Sequence, residues 1–186
     1  MGGIRPRHTF ITTAIINAQS ARTWGVEGSL DWRIIDPLIL GVNAGYLNAK
    51  YLNFSLRDST VLAPFNRDGQ TMTHSPRWQV SLTAALDQPI SEHYDLVANL
   101  LGSYTDSMIF AYSSLPGIVP NDTAPAYWLV NARVGVKTSD NRYGLYLVAN
   151  NLLDQVYYIG SNSSSFGNLL NYGTRRIVSI EADVNF

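Results

Sequence analysis

The side chains of this chain that could bind or react are few and dispersed. His8, His74 and His93 are too scattered for metal-ligand spacing, and no cluster of further ligands surrounds them. They read as exposed loop or terminal histidines. Ser113, Ser114, Ser161 and Ser163–Ser165 lie outside any G-x-S-x-G turn and have no paired base, so nucleophilic catalysis has no support. Asn53, Asn121 and Asn162 begin N-x-[ST] triplets, which read as turn composition. What remains is a set of aromatic residues with one arginine: Phe54, Phe65, Arg67, Phe110, Tyr112, Tyr157, Tyr158, Phe166 and Tyr172. Rings with an occasional guanidinium suit stacking on a planar, anionic ligand. The competing reading is loop packing and interfacial anchoring. Phe65, Arg67, Phe110, Tyr112, Phe166 and Tyr172 are the ligand-binding candidates; Tyr157 and Tyr158 are expected to be structural. No catalytic residue, metal site or cofactor is expected.

The elements that position these residues are strands. From Val178, the even positions read Val178, Ile180, Ala182, Val184 and Phe186, while Ser179, Glu181, Asp183 and Asn185 alternate with them. A period of two separates an apolar face from a polar one. The pattern recurs at Trp24–Arg33, Leu38–Tyr46, Arg77–Leu86, Tyr94–Tyr104, Tyr127–Lys137 and Arg142–Ala149, and less cleanly at Thr9–Ala18. Connections alternate in length. Ile34–Pro37, Asp87–His93 and Thr138–Asn141 are short; Leu52–Ser75, Asp106–Pro125 and Asn151–Gly173 are long. That is an antiparallel up-and-down sheet of about eight strands, with every long loop at one end.

Aromatic residues close both ends of the apolar face. Trp24, Tyr46, Trp78, Tyr104 and Trp128 fall toward the long loops; Trp32, Tyr94, Tyr143 and Phe186 fall toward the short turns. Tyr94 and Tyr104 are roughly 33 Å apart along a strand. A tilt near 40° reduces this to about 25 Å, the height of the apolar band of a membrane barrel. Ring bodies are apolar and one edge is wet, which suits both membrane interfaces. A soluble β-sandwich with ordinary core aromatics is the bland alternative.

Composition is compatible with a membrane barrel, which shows half of its strand residues to a polar lumen. The 186 residues suit one domain, 46% are hydrophobic, and mean hydropathy is near zero. No run reaches the length of a membrane helix. Absence of cysteine removes disulfides and thiolate chemistry. A net charge of −1 with no basic stripe argues against a nucleic-acid partner. Met1–His8 contains no apolar core of a leader peptide. A leader is therefore expected to have been removed, or the chain to be the tail of a longer one.

Several pieces, spread in order along the chain, resemble TonB-dependent outer-membrane receptors. Trp24–Arg33 resembles the family's "GVE" strand, and Leu40–Tyr51 the strand that follows it. Pro76-Arg77-Trp78 opens the next. Tyr127–Gly135 resembles the "NARVGY" strand, Asn150–Tyr158 the "NLxDxxYY" segment, and Tyr172–Arg176 the "YGxPR" lead-in to a last strand ending in Phe. Thr174 stands where the family often has a small residue and Pro before Arg.

The resemblance implies a bacterial outer-membrane location, many membrane crossings, and import of ferric siderophores, cobalamin or similar ligands. Outer-membrane lipid and the β-barrel assembly machinery are implied partners, with Val178, Ile180, Ala182, Val184 and Phe186 as the assembly signal. A full receptor of the family adds a plug domain, a TonB-contacting segment and a barrel of about 22 strands. Residues 1–186 are expected to be the carboxyl-terminal segment of that β-barrel, without a plug and unable to transport alone.

Two alternatives stay open. A small barrel closed on itself, acting as structural protein, adhesin or narrow pore, would pack residues such as Glu27, Asp31, Arg133 and Asp183 in a narrow interior. A membrane-embedded barrel enzyme would need an acid–base or Ser–His set at its rim, and none is found.

Overall fold

A computed structural model describes residues 20–56, 65–112, 122–164 and 167–186. In chain order the strands are β1 (Ser20–Ile35), β2 (Leu38–Asn53), β3 (Ser55–Leu56), β4 (Phe65–Asn66), β5 (Trp78–Pro89), β6 (Tyr94–Thr105), β7 (Met108–Ala111), β8 (Asp122–Ala124), β9 (Tyr127–Thr138), β10 (Tyr143–Asn150), β11 (Tyr158–Ser164), β12 (Gly167–Tyr172) and β13 (Ile177–Val184). Seven of them form one antiparallel sheet in the order β1-β2-β5-β6-β9-β10-β13. The up-and-down arrangement is the one the alternation predicts. The eighth candidate, Thr9–Ala18, lies outside the described residues.

The register preserves every face. Leu30, Val42, Leu82, Gly102 and Val130 lie in one cross-strand row, and Leu147 opposes both Val134 and Ile180. A slip of one residue would send all of these to the other side. The apolar face is open rather than packed: Val26 is 69% exposed, Leu30 62% and Ile180 76%. Few side chains are buried among the described residues, and no large one is wholly enclosed. A soluble sheet would leave this surface in water, whereas a membrane wall places it against lipid.

Aromatic belts form where the sequence places them. Trp24 packs on Tyr46 at 5.4 Å between centroids, Tyr46 on Trp78 at 4.9 Å, and Tyr104 on Trp128 at 5.3 Å. At the opposite end Trp32, Tyr94, Tyr143 and Phe186 are exposed on the same face.

On the inner face Arg133 bonds Glu181 at 2.6 Å and Asp183 at 3.2 Å, and Lys137 bonds Asp87 at 2.7 Å. Tyr146 lies over Gly135 and Gly144, where any Cβ would collide with its ring. The Arg133 guanidinium covers that ring at 3.4 Å. Glycine here lets an aromatic ring lie flat on the strands, the device that rescues glycine gaps in sheets.

Among the described residues β1 pairs only with β2 and β13 only with β10, so the sheet does not close on itself. A narrow self-closed barrel therefore gains no support. The long connections contain structure of their own. Each carries a small antiparallel pair, β3–β4, β7–β8 or β11–β12. Such pairing satisfies backbone groups that a bare loop of that length would leave to water.

Candidate functional site

The three long connections meet at the end of the sheet bounded by Trp24, Tyr46, Trp78, Tyr104 and Trp128. Chain geometry brings Phe65, Arg67 and Tyr112 together from two of them. Arg67 lies over the Tyr112 ring at 4.6 Å and near Phe65 at 5.7 Å, and is only 8% exposed. Phe65 stacks edge-on against Phe54, which packs on Tyr51. The Tyr112 hydroxyl donates to the Thr71 carbonyl at 2.6 Å. Burial pushes the Tyr112 phenol above its ordinary range; Tyr51 adds to this and Arg67 opposes it.

Phe110 is buried and packs on His74, whose φ of 55° sets a sharp bend. The His74 N–H donates to the Ile109 carbonyl. Tyr172 stands apart, paired with Tyr158 across β11–β12 at 5.1 Å between centroids. The hydrogen bond between them raises the Tyr158 phenol. Phe166 lies outside the described residues. Of the six candidates, three thus share one cluster, Phe110 adjoins the same two loops, and Tyr172 is separate. Guanidinium and rings in that cluster face one another, so its visible role is to join loops.

Other links bind the third connection to the second. The Ser161 hydroxyl bonds the Asp122 carboxylate at 2.9 Å, and Tyr157 of the third connection also packs on Tyr127 at the start of β9, at 4.8 Å. Tyr157, expected to be structural from its segment, also covers Gly173, where any Cβ would strike its ring.

A second arrangement ties the last strand to the wall. Asn151 and Asp154 adopt φ values of 50° and 53°, backbone that Asn and Asp tolerate better than most residues. Asn151 is 5% exposed, donates from Nδ2 to the carbonyls of Gln155 and Thr174, and accepts the Gln155 N–H. The Asp154 carboxylate takes Arg175 Nε at 2.8 Å and the Arg176 N–H at 3.0 Å. These bonds hold the Asp154 carboxyl well below the usual carboxylate range. The sequence marked both segments by resemblance, but not that they clasp each other. The signal available in the sequence was the residue types Asn151 and Asp154, which tolerate such backbone.

No group of three or more His, Cys, Asp or Glu suited to a metal ion occurs among the described residues.

Against this geometry, the family model for the TonB-dependent receptor-like β-barrel matches residues 3–152. The chain belongs to the TonB-dependent receptor β-barrel family. Its fold is similar to the ferric yersiniabactin uptake receptor FyuA from Yersinia pestis, with a TM-score of 0.69 and 16% identity over 89% of this chain and 24% of that one. It is also similar to the siderophore receptor PiuA from Acinetobacter baumannii, with a TM-score of 0.66 and 16% identity over 87% of this chain and 21% of that one. The chain thus spans about a quarter of the length of these structures or less. A comparison with curated protein sequences finds none that matches.

Proposed function

We propose that residues 1–186 form one wall domain of a multi-pass bacterial outer-membrane receptor that imports metal chelates, such as ferric siderophores, or cobalamin and similar ligands. The carrying observation is the unbroken apolar outer face, in register across seven strands and framed by aromatic belts. Membrane lipid is the solvent that stabilises such a face. The family assignment supplies the receptor class, and the joined outer loops supply the surface that a ligand meets first. The protein is a receptor and transporter rather than an enzyme.

Outer-membrane lipid and the barrel assembly machinery are the partners of the wall. The last strand, with Val178, Ile180, Ala182, Val184 and Phe186 on one face, serves as the assembly signal. A plug domain and TonB complete the transport cycle. In lipid, unpaired sheet edges are not tolerated, so β1 and β13 require further strand partners. The 186 residues alone therefore bind weakly and do not transport.

The test expresses the chain in a strain lacking its siderophore and cobalamin receptors, with TonB intact. The expected result is recovery in the outer-membrane fraction with no growth rescue. Recovery as a stable monomer in detergent-free buffer would remove the membrane reading. TonB-dependent rescue would overturn the inability to transport alone.

A further inference from the structure

On the outer face of β1 and β2 the side chains change character row by row toward the long loops. Val26 opposes Tyr46, Trp24 opposes Asn48, and Arg22 opposes Lys50. The rings of Trp24, Tyr46 and Trp78 pack in sequence. Two positions along a strand span about 7 Å, so the two cations stand just beyond these rings. At that height a membrane wall leaves hydrocarbon and meets lipid headgroups. Strands added beyond β1 widen the sheet sideways and leave this face uncovered.

Arg22 and Lys50 face each other with no acid between them. Directly opposed like charges weaken a sheet. Glu27 and Asp31, the acidic residues of β1, alternate onto the inner face, and β2 has none. Among the described residues neither cation forms an ion pair or a side-chain hydrogen bond. Arg133, Lys137 and Arg175, by contrast, are each engaged by a carboxylate. The backbone around Lys50 is held on both sides. Lys50 bridges Thr71, the Met72 N–H donates to the Ala49 carbonyl, and the Tyr51 N–H donates to the Gln70 carbonyl. The other end of β1 has no such pair: Ile34 and Ile35 follow Trp32 there and are exposed.

We infer that Arg22 and Lys50 hold the phosphate of a lipid headgroup in the outer leaflet, and that this phosphate is a monoester. The inference rests on the membrane-wall reading above, in which the long loops lie outside the cell. A monoester carries about two negative charges near neutral pH and so matches two cations, whereas a diester carries one. The arginine fork takes two phosphate oxygens, and the lysine acts on the group as a point charge. An anion between the two side chains turns their mutual repulsion into attraction. The acyl chains of the same lipid then continue along the face, over Trp24 and Val26, both of which are exposed. Headgroup, rings and hydrocarbon thus meet one molecule in the order in which the rows present them.

The test places the full chain, carrying Trp32→Phe and Trp128→Phe so that Trp24 and Trp78 report, in phosphatidylcholine vesicles, with folding checked by heat-modifiable mobility. Part of the lipid is replaced by a dibrominated probe, and quenching of tryptophan fluorescence gives the relative affinity of each probe. Dibrominated phosphatidate, a monoester, should associate about 25-fold more strongly than dibrominated phosphatidylcholine, and the diester phosphatidylglycerol should fall between them. Arg22→Gln and Lys50→Gln should each weaken phosphatidate about five-fold, and together they should abolish its preference. In pure phosphatidylcholine both variants should fold as well as the parent or better, because a repulsion is gone. Poorer folding there overturns the site in favour of a structural role. Equal quenching by phosphatidate and phosphatidylcholine overturns the site and leaves the membrane-wall reading standing. Phosphatidylglycerol that matches phosphatidate overturns the monoester, and a preference that survives the double variant overturns the two residues. Reversal by inorganic phosphate makes a free anion the occupant and overturns the lipid. No quenching by any probe brings down the membrane-wall reading itself.

Discussion

Arg175 and Asp154, separated by 21 positions, form a two-toothed ion pair in which Nε meets Oδ1 at 2.8 Å and an Nη meets Oδ2 at 2.5 Å. The pair draws the start of β13 against the turn that ends β10. Together with Asn151, it closes the base of the excursion that carries β11 and β12.

The carboxyl of Asp154 is depressed in the folded state, first by Arg175 and then by the Arg176 amide. A depressed carboxyl stabilises the fold above its unfolded value, near 3.9, and loses that contribution as pH falls toward its folded value. Asp154→Asn should therefore lower the urea midpoint at neutral pH. The difference from the parent chain should shrink below about pH 4. Equal differences at neutral and acid pH would show that the charge is not what matters.

Face assignment predicts unequal effects from neighbours. Ile180 is 76% exposed on the outer face and Ser179 lies on the inner one. Ile180→Arg should cost about 2–4 kcal/mol, the scale for arginine near the bilayer midplane. Ser179→Arg should cost far less. Folding into lipid vesicles under a urea gradient measures both.

Tyr146 is 6% exposed, covers two glycines and carries Arg133 on its ring. Tyr146→Ala should destabilise the sheet by roughly 3 kcal/mol, the scale for truncating a buried aromatic ring. Gly135→Ala should fail by collision instead, since its Cβ would strike the Leu145 carbonyl and the Tyr146 backbone. A restored thermal midpoint in the double variant would sink this account, because removing the ring leaves the backbone collision in place.

Tyr112 is raised chiefly by burial, and Arg67 holds it down in part. An alkaline titration followed by tyrosinate absorbance should show Tyr112 ionising above an ordinary phenol near 10. Arg67→Met should move it higher still. A shift downward would mean that the Arg67 charge does not act on this ring.

Much of the wall was legible because one period governs it. Strict alternation fixed the faces, and cross-strand pairing then had to match apolar rows to apolar rows, as Leu82 does with Val42 and Gly102. Strand ends were less legible: β1 begins at Ser20, before the pattern is clean, and β5 runs on to Pro89. Backbone pairing continues past the point where the side chains stop alternating. Loop contacts were not legible, since the meetings of Tyr112 with Thr71 and of Ser161 with Asp122 join positions some forty residues apart. Composition identified Arg67 but could not show that the rings beside it would bury it.

The bonds from Tyr112 to Thr71 and from Ser161 to Asp122 also bear on how such a surface can change over generations. Separate loops could be exchanged one at a time, each altering the surface alone. Loops that hold each other in place inherit each other's mutations: a change in the segment around Thr71 shifts the footing of Tyr112, and a change at Asp122 reaches Ser161. New contacts among the loops would then arise through paired substitutions in distant parts of the chain.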